Sequence, residues 1–391
     1  MGMMETNSLQ SRSAECLEHL STPALVLDAA KMERNFARLS GHLATLGVVF
    51  RPHVKTAKSI EVVRHLFPKK LGPITVSTIK EAEYFADAGI TDMVYAVGLA
   101  PDKIPRVLAL RERGVDIAVV LDSSDQAKAL AHSARPGGPT FAALIEIDCD
   151  GHRGGLTPDD MEIVRIAGIL QSGGVEVRGV LTHAGESYSC RNGEGLKEAA
   201  EAERSAAVAA AALLRRNGFA STQVSVGSTP TAHFTQDLSG VTEVRAGVFI
   251  FFDLVMHGIG VCAIDDIALS VMATVIGRKP EKGWILIDAG WMALSRDRGT
   301  ARQAVDQGYG LVCDIDGTPY PDVLVTDASQ EHGTVSIRAG SDRALPDLPI
   351  GARVRILPNH ACATAAQHDQ YRVVRSGSRS LMTTWPRMRG W

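Results

Sequence analysis

The sequence predicts a parallel (β/α)8 barrel followed by an all-β domain, on three observations. Up to Asp253, short β-rich runs alternate with amphipathic stretches. The runs are almost continuously apolar, as strands covered on both faces are. From Ile267 the long helical patterns stop, and short runs separated by Gly, Pro and Asp turns take over.

The predicted barrel strands are Val48–Val54, Ile74–Ser77, Met93–Val97, Asp116–Leu121, Phe141–Asp148, Val177–His183, Gln223–Val226 and Val244–Asp253. Helices are expected between the first seven: Ser59–Phe67, Lys80–Ala88, Asp102–Arg113, Ser124–Ser133, Pro158–Gln171 and Gly195–Arg216. The last is rich in Ala, Glu and Leu, which favour helix. Ser124 and Thr157 stand at N-cap positions, and Gly89, Gly114 and Gly218 at C-cap positions. Eight βα-like units in roughly 220 residues fit a closed barrel of about 250 residues. A doubly wound open sheet is the rival arrangement. The last connection, Pro230–Gly240, carries little helical signal and is the weakest unit. In the second half, Ser270–Ile276, Gly283–Ile287, Tyr309–Cys313, Val323–Val325, Thr334–Arg338 and Arg353–Leu357 read as strands. Three units are expected: 1–30, an N-terminal segment packing with the β domain; 31–265, the barrel; and 266–391, the β domain.

Composition excludes several classes. Of 391 residues, 45% are apolar and 22% charged, which is ordinary for a globular chain. Lys plus Arg is 41 against 44 for Asp plus Glu, so no basic field exists for nucleic acid or an anionic membrane. No apolar run is long enough to span a bilayer. Met1–Arg12 is polar and lacks the apolar core of a secretory leader. Met1-Gly2 with Thr6 fits a myristoylation pattern, a loose match best read as chance. Six scattered cysteines form no C-x-x-C pair, so neither a disulfide scaffold nor a zinc ribbon is indicated. A reducing cytoplasm is the expected compartment.

Chemistry in such a barrel belongs at the C-terminal ends of the strands. The first strand ends in Arg51-Pro52-His53-Val54-Lys55-Thr56. Partial desolvation there would lower the pKa of Lys55 and free its lone pair for a carbonyl. A rim lysine facing water is the plainer alternative, and Lys58 reads as helical surface. The fifth strand leads into Asp150-Gly151-His152-Arg153, whose arginine suits an anionic partner or a solvated Asp–Arg pair. The sixth ends in Thr182-His183-Ala184-Gly185-Glu186-Ser187-Tyr188, where His183 could stack on a flat cofactor, move a proton or simply pack. The seventh ends in Gly227-Ser228-Thr229, a small-residue turn able to cradle phosphate. In the β domain, His360 and Cys362 stand two apart, a spacing that puts both on one face of a strand. Imidazole and thiolate suit a divalent ion and leave positions open for water or substrate.

Together these stretches resemble the fold-type III pyridoxal-phosphate enzymes of the D-serine dehydratase and D-threonine aldolase group, whose barrel is similar to that of alanine racemase. The resemblance spans Thr22-Pro23 to Gly390-Trp391. It rests on RPHVKT at 51–56, ITVST-KEAE at 74–83, DGHR at 150–153, VLTHAG at 180–185, VSVGSTPTA at 224–232, GVTEVRAGV at 240–248, FFDLVM at 251–256, SRDRGTA at 295–301 and ILPNHACAT at 356–364. It implies an alanine-racemase-like (β/α)8 TIM barrel with a C-terminal all-β domain. It implies pyridoxal 5'-phosphate joined to Lys55, contacted by Arg153, lined by Ser77, His183 and Tyr188, and held through its phosphate by Gly227, Ser228 and Thr229. His360 and Cys362 would bind Zn, Mn or Mg. A homodimer is also implied. Phe249 stands where relatives often carry Tyr, so a hydroxyl contact expected there is missing.

The implied reaction is elimination of the β-hydroxyl from a D-β-hydroxy amino acid, giving an oxo acid and ammonia. The product would be oxaloacetate from 3-hydroxyaspartate or pyruvate from D-serine. Arg296 and Arg298, on Ser295–Arg298, are candidates for a substrate carboxylate, with surface charge as the alternative. Retro-aldol cleavage to glycine and an aldehyde is the rival reaction. Aldolase members tend to show H-x-D where this chain has H-x-C. A non-catalytic cofactor-binding protein and a racemase are further alternatives.

Overall fold

A computed structural model of the chain describes residues 16–391; the readings placed on Met1–Arg12 lie outside the described residues. The first strand, β1 (Ala24–Asp28), leads directly into a helix over Ala29–Thr45 that the sequence reading missed. Its signal was the Asp28 cap, whose carboxylate accepts from the Ala30 and Lys31 N–H groups. Such a cap contributes about 1 kcal/mol.

The barrel strands follow as β2 (Val49–Phe50), β3 (Ile74–Val76), β4 (Asp92–Gly98), β5 (Asp116–Leu121), β6 (Ala142–Ile147), β7 (Glu176–Thr182), β8 (Gln223–Val226) and β9 (Glu243–Val244). All pair in parallel, in the order β2-β9-β8-β7-β6-β5-β4-β3. The ring closes just beyond β2. His53 bridges Thr75, Val54 N donates to Thr75 O at 2.9 Å, and Thr75 N donates to Pro52 O at 2.9 Å. A closed barrel therefore replaces the open-sheet rival, and the closing seam lies beside Lys55.

Three local expectations are corrected. The eighth strand stops at Val244, and the apolar run beyond it forms a 3-10 turn over Val248–Ile250 with Phe249, Phe251 and Phe252 buried. A buried apolar run has no periodicity to separate strand from turn. Ser123, not Ser124, caps the helix Ser124–Ser133 by accepting from Gln126 N. Thr157 precedes the helix that starts only at Glu162, so it is not its cap. The thin last connection holds one short helix, Thr229–Phe234. The missed helix supports this corner, with Asn35 Nδ2 donating to Asp266 O at 2.8 Å and to Ile250 O at 3.4 Å.

The C-terminal domain contains β10 (Leu269–Lys279), β11 (Trp284–Ile287), β12 (Gly310–Cys313), β13 (Pro319–Ala328), β14 (Gly333–Ile337), β15 (Arg353–Pro358), β16 (Gln370–Val374) and β17 (Thr383–Pro386). The strand β10 pairs with both β11 and β15, so β10-β11-β14-β13-β12-β15 closes into a second, antiparallel ring. β1 lies beside it, antiparallel to β10 and parallel to β16. One apolar core runs through both units, from Leu39 and Ile117 to Val271 and Ile356. A separate small cluster of Val94, Ala118, Val120, Ala142 and Leu144 takes alternate residues of β4–β6 and fills the barrel interior.

Candidate active site

A cavity of about 790 Å³ opens where the C-terminal ends of the barrel strands meet the β domain. Its volume suits a cofactor plus a small substrate. All twelve site residues expected from the sequence reach its wall: Lys55, Ser77, Arg153, His183, Tyr188, Gly227, Ser228, Thr229, Arg296, Arg298, His360 and Cys362.

Lys55 stands on the turn after the closing seam, between Val54 and the helix Ile60–Leu66. Its side chain is exposed to the cavity and has no carboxylate at ion-pair distance among the described residues. Desolvation by the surrounding protein lowers its pKa. Arg153 and Arg245 push the same way, and attraction to Cys362 and Glu81 only partly offsets them. Lys58 is not helical surface. It pairs at 2.9 Å with Glu81, whose side chain is fully buried. Glu81 Oε2 accepts from Ser77 N at 2.8 Å, and Ser77 Oγ lies 3.2 Å from His53 Nε2. Burial, aided by Lys55 and Arg245, keeps His53 neutral.

His183 leaves β7 with Nδ1 2.8 Å from Gly227 O. Burial lowers its pKa to about 3, so the imidazole is neutral and Nδ1 donates to that carbonyl. Tyr188 lies 6.3 Å away, ring to ring, and its hydroxyl faces the Thr229 backbone. Burial raises the phenol pKa and keeps it protonated.

The Gly227 turn is built differently from the sequence reading. Gly227 takes φ +141°, and a Cβ there would sit 1.9 Å from Arg245 O, so glycine is required by the neighbouring strand end. Its N–H is already given to Glu203 Oε1 at 2.9 Å. Ser228 Oγ caps the short helix Thr229–Phe234 and lies 2.9 Å from both Ser187 Oγ and Thr231 Oγ1. Two helical turns, starting at Thr229 and Val248, also line the cavity. First-turn N–H groups lack intrahelical acceptors. Phe249, in the second turn, is buried edge-on to Phe50 at 5.2 Å, so packing replaces the absent hydroxyl.

His360 and Cys362 are not on a strand. β15 ends at Pro358; His360 is the N-cap and Cys362 the second residue of a short helix, Ala361–Ala365. The helical turn, rather than strand alternation, brings them together. Asp297 Oδ2 lies 2.6 Å from His360 Nδ1 and orients the ring, leaving Nε2 for another partner. Burial opposes charge on His360, but the Cys362 thiolate and Asp297 outweigh it and raise its pKa to about 11. In return the imidazolium overcomes burial and lowers the Cys362 pKa. Thr56 Oγ1, next to Lys55, lies 3.2 Å from Cys362 Sγ. No cluster of three or more His, Cys, Asp or Glu ligands occurs among the described residues, so the pair offers two protein donors.

Arg298 reaches the cavity, yet its guanidinium is engaged by Asp306 at 2.6 Å and packs 5.2 Å from the Tyr309 ring. A substrate role is therefore not what its contacts favour. Arg296 lies over Trp291 at 4.3 Å. Sequence reasoning did not single out Glu203, Arg245, Asp253 or Asp297. Glu203 sits on the helix Gly193–Arg216 and accepts from Ala184 N, Gly227 N and Thr231 Oγ1 at 2.7–2.9 Å. It thereby ties the ends of β7 and β8 together. Buried Arg245 donates to Ser225 Oγ at 2.8 Å and to Thr182 O. Asp253 Oδ2 accepts from Ala361 N at 2.9 Å and sews the barrel to the His360 turn. Arg245, a charge breaking into the apolar run Val244–Phe252, was the one available signal; Glu203 sits among Glu201 and Arg204 and gave none.

The barrel matches the family model described as alanine racemase, N-terminal domain, over residues 27–255, and the following part matches the putative serine dehydratase domain over 268–374. The chain is 50% identical to a D-threo-3-hydroxyaspartate dehydratase of Delftia sp., over 95% of this chain and 98% of that one. It is 28% identical to a D-serine dehydratase of Dictyostelium discoideum, over 95% and 97%. The solved Delftia structure superposes with a TM-score of 0.93 at 50% identity, covering 96% of this chain and all of the other. A D-threonine aldolase from Filomicrobium marinum superposes at 0.80 with 27% identity, covering 96% and 97%. Two further D-threo-3-hydroxyaspartate dehydratase structures carry alanine for a histidine and for a cysteine two positions on, the latter described as metal-free. An alanine-racemase-like barrel joined to a serine dehydratase domain, with these relatives along its whole length, makes this chain a member of the D-serine dehydratase family of fold-type III lyases.

Proposed function

We propose that the chain is a pyridoxal-phosphate- and divalent-metal-dependent dehydratase that converts D-threo-3-hydroxyaspartate to oxaloacetate and ammonia. D-serine would be a second substrate. One observation carries this reading: a single cavity holds an unpaired, pKa-lowered lysine and an Asp-oriented His–Cys pair, linked through Thr56. The half-identical Delftia dehydratase supports it, and its His and Cys variants share the spacing of His360 and Cys362.

The residues fit both groups. When bound, pyridoxal phosphate supplies an electron sink at the α-carbon, and a divalent ion supplies a Lewis acid at the β-oxygen. Lys55 Nζ would hold the cofactor aldehyde and take the α-proton, since its lowered pKa makes the neutral amine accessible. Neutral His183 and protonated Tyr188 present flat, uncharged surfaces on one wall, with Ser77 on the cavity wall beside His53. Thr229 and the start of the Val248 turn would receive the phosphate, with Gly227 and Ser228 shaping the turn. Arg153, exposed at the rim and paired with Glu146 at 3.7 Å, would turn from that carboxylate to the anion. His360 Nε2 and Cys362 Sγ would hold the ion; a thiolate donor favours Zn²⁺ over Mg²⁺, with Mn²⁺ between them. The chain would divide at about residues 30 and 265 into strand-donating, cofactor-binding and metal-binding parts. It would form a homodimer, tested by light scattering, and act in the cytoplasm, in keeping with six free cysteines.

A product assay decides. Enzyme loaded with cofactor is given D-threo-3-hydroxyaspartate, D-serine or D-threonine, with and without EDTA. The expected result is oxo acid and ammonia, lost with chelator and restored by Zn²⁺ or Mn²⁺. Glycine plus an aldehyde would overturn the dehydratase assignment in favour of the aldolase.

A further inference from the structure

Five arginines reach the cavity, against three carboxylates: Glu146, Asp253 and Asp297. Four of the five are engaged. Arg245 is buried among Glu203, Glu243 and Glu146. Arg153 faces Glu146, Arg298 is paired with Asp306, and Arg296 is parked on Trp291. Arg302 has no carboxylate, carbonyl or ring partner among the described residues, although its side chain is exposed on the cavity wall.

The backbone beneath Arg302 is held firmly. It ends the turn Gly299–Arg302. Thr300 N donates to Asn359 Oδ1 at 2.9 Å, and Gln307 N donates to Thr300 Oγ1 at 3.0 Å. Gln303 Nε2 donates to Val255 O at 3.0 Å. Earlier in the same loop, Asp297 is bound to His360. A fixed backbone thus keeps an unpaired guanidinium on the cavity wall, within reach of a planar anion.

We infer that Arg302 selects substrates bearing a second carboxylate. The inference rests on the dehydratase reading. In that reaction the hydroxyl leaves from the β-carbon, and in a hydroxy diacid the second carboxylate sits on the same carbon. A group that recognises this carboxylate must therefore lie beside His360 and Cys362, and Arg302 is on the loop tied to His360. D-serine has only hydrogen at that place. Arg302 thus separates a four-carbon diacid from serine, a role assigned to neither Arg296 nor Arg298 by their contacts.

The test compares Arg302→Gln, Arg302→Lys and Arg296→Gln in the cofactor-loaded enzyme. Steady-state kinetics are measured with D-threo-3-hydroxyaspartate and D-serine, and binding of maleate and propionate is measured by titration calorimetry. Arg302→Gln is expected to lower the diacid-to-serine ratio of kcat/KM by about 10- to 100-fold, mostly through KM, as loss of one charge-assisted pair implies. Maleate binding should weaken in parallel, and Arg302→Lys should recover part of the ratio. An equal fall for both substrates, or a larger shift of the ratio in Arg296→Gln, overturns the inference. If the wild type releases ammonia from neither substrate, the dehydratase reading fails separately, and the maleate titration still decides Arg302.

Discussion

At the residue scale the site depends on buried groups that do no chemistry. Glu203 takes two backbone N–H groups and one hydroxyl from the ends of β7 and β8. Glu203→Ala leaves both N–H groups buried without partners, at about 1–3 kcal/mol each. Urea denaturation should show a loss of about 2–6 kcal/mol, and Glu203→Gln, whose oxygen still accepts, should lose less. Histidines make stability depend on pH. Burial lowers His183 to about 3 and His233 to about 4. The unfolded chain binds these protons near pH 6.5, so between pH 6.5 and about 4 it holds more protons than the folded one. Stability therefore rises with pH across that window and falls on acidification, by up to about 1.4 kcal/mol per pH unit for each histidine. The urea midpoint should drop between pH 7.5 and pH 5, and His233→Gln should flatten the drop by one proton's worth. Lys55, His360 and Cys362 were legible in the sequence because an amine, an imidazole and a thiol mark candidate chemistry by residue type alone. Glu203 and Asp297 were not, because their role is visible only in what they touch.

At the element scale, the strand ends decide the geometry. β8 stops where Gly227 turns at φ +141° against the Arg245 carbonyl. Gly227→Ala places a Cβ inside that contact and forces both β8 and the Arg245 segment apart. Its thermal midpoint should fall sharply, and binding of pyridoxal phosphate, followed by visible absorbance, should weaken by at least tenfold. Alternation of apolar runs with helices located seven of the eight barrel strands within a few residues. The eighth was overextended because Phe249, Phe251 and Phe252 are all buried and offer no period to read. β1, β16 and β17 were missed because a five-residue strand such as Ala24–Asp28 has the same apolar texture as any loop entering a core. The His360 turn was read as strand from a spacing of two, which a helix N-terminus also satisfies.

At the scale of the whole molecule, the two units share one core and one cavity. β1 comes from before the barrel yet pairs with β10 and β16 of the β domain. Near the Lys55 turn, Tyr371 Oη donates to Ala57 O at 2.6 Å and Met388 N donates to Lys58 O at 2.8 Å. Unfolding in urea should therefore be one transition, with fluorescence and circular dichroism coincident; two separated transitions would mean that the units hold together independently. The same interlock places the Lys55 amine opposite the His360 and Cys362 pair, and the proposed chemistry depends on that placement. Borohydride reduction of the cofactor-loaded protein, followed by peptide mapping, reads it out. The pyridoxyl group is predicted on Lys55 alone. Its appearance on Lys58, three residues away and paired with Glu81, or on no lysine at all, would contradict the account.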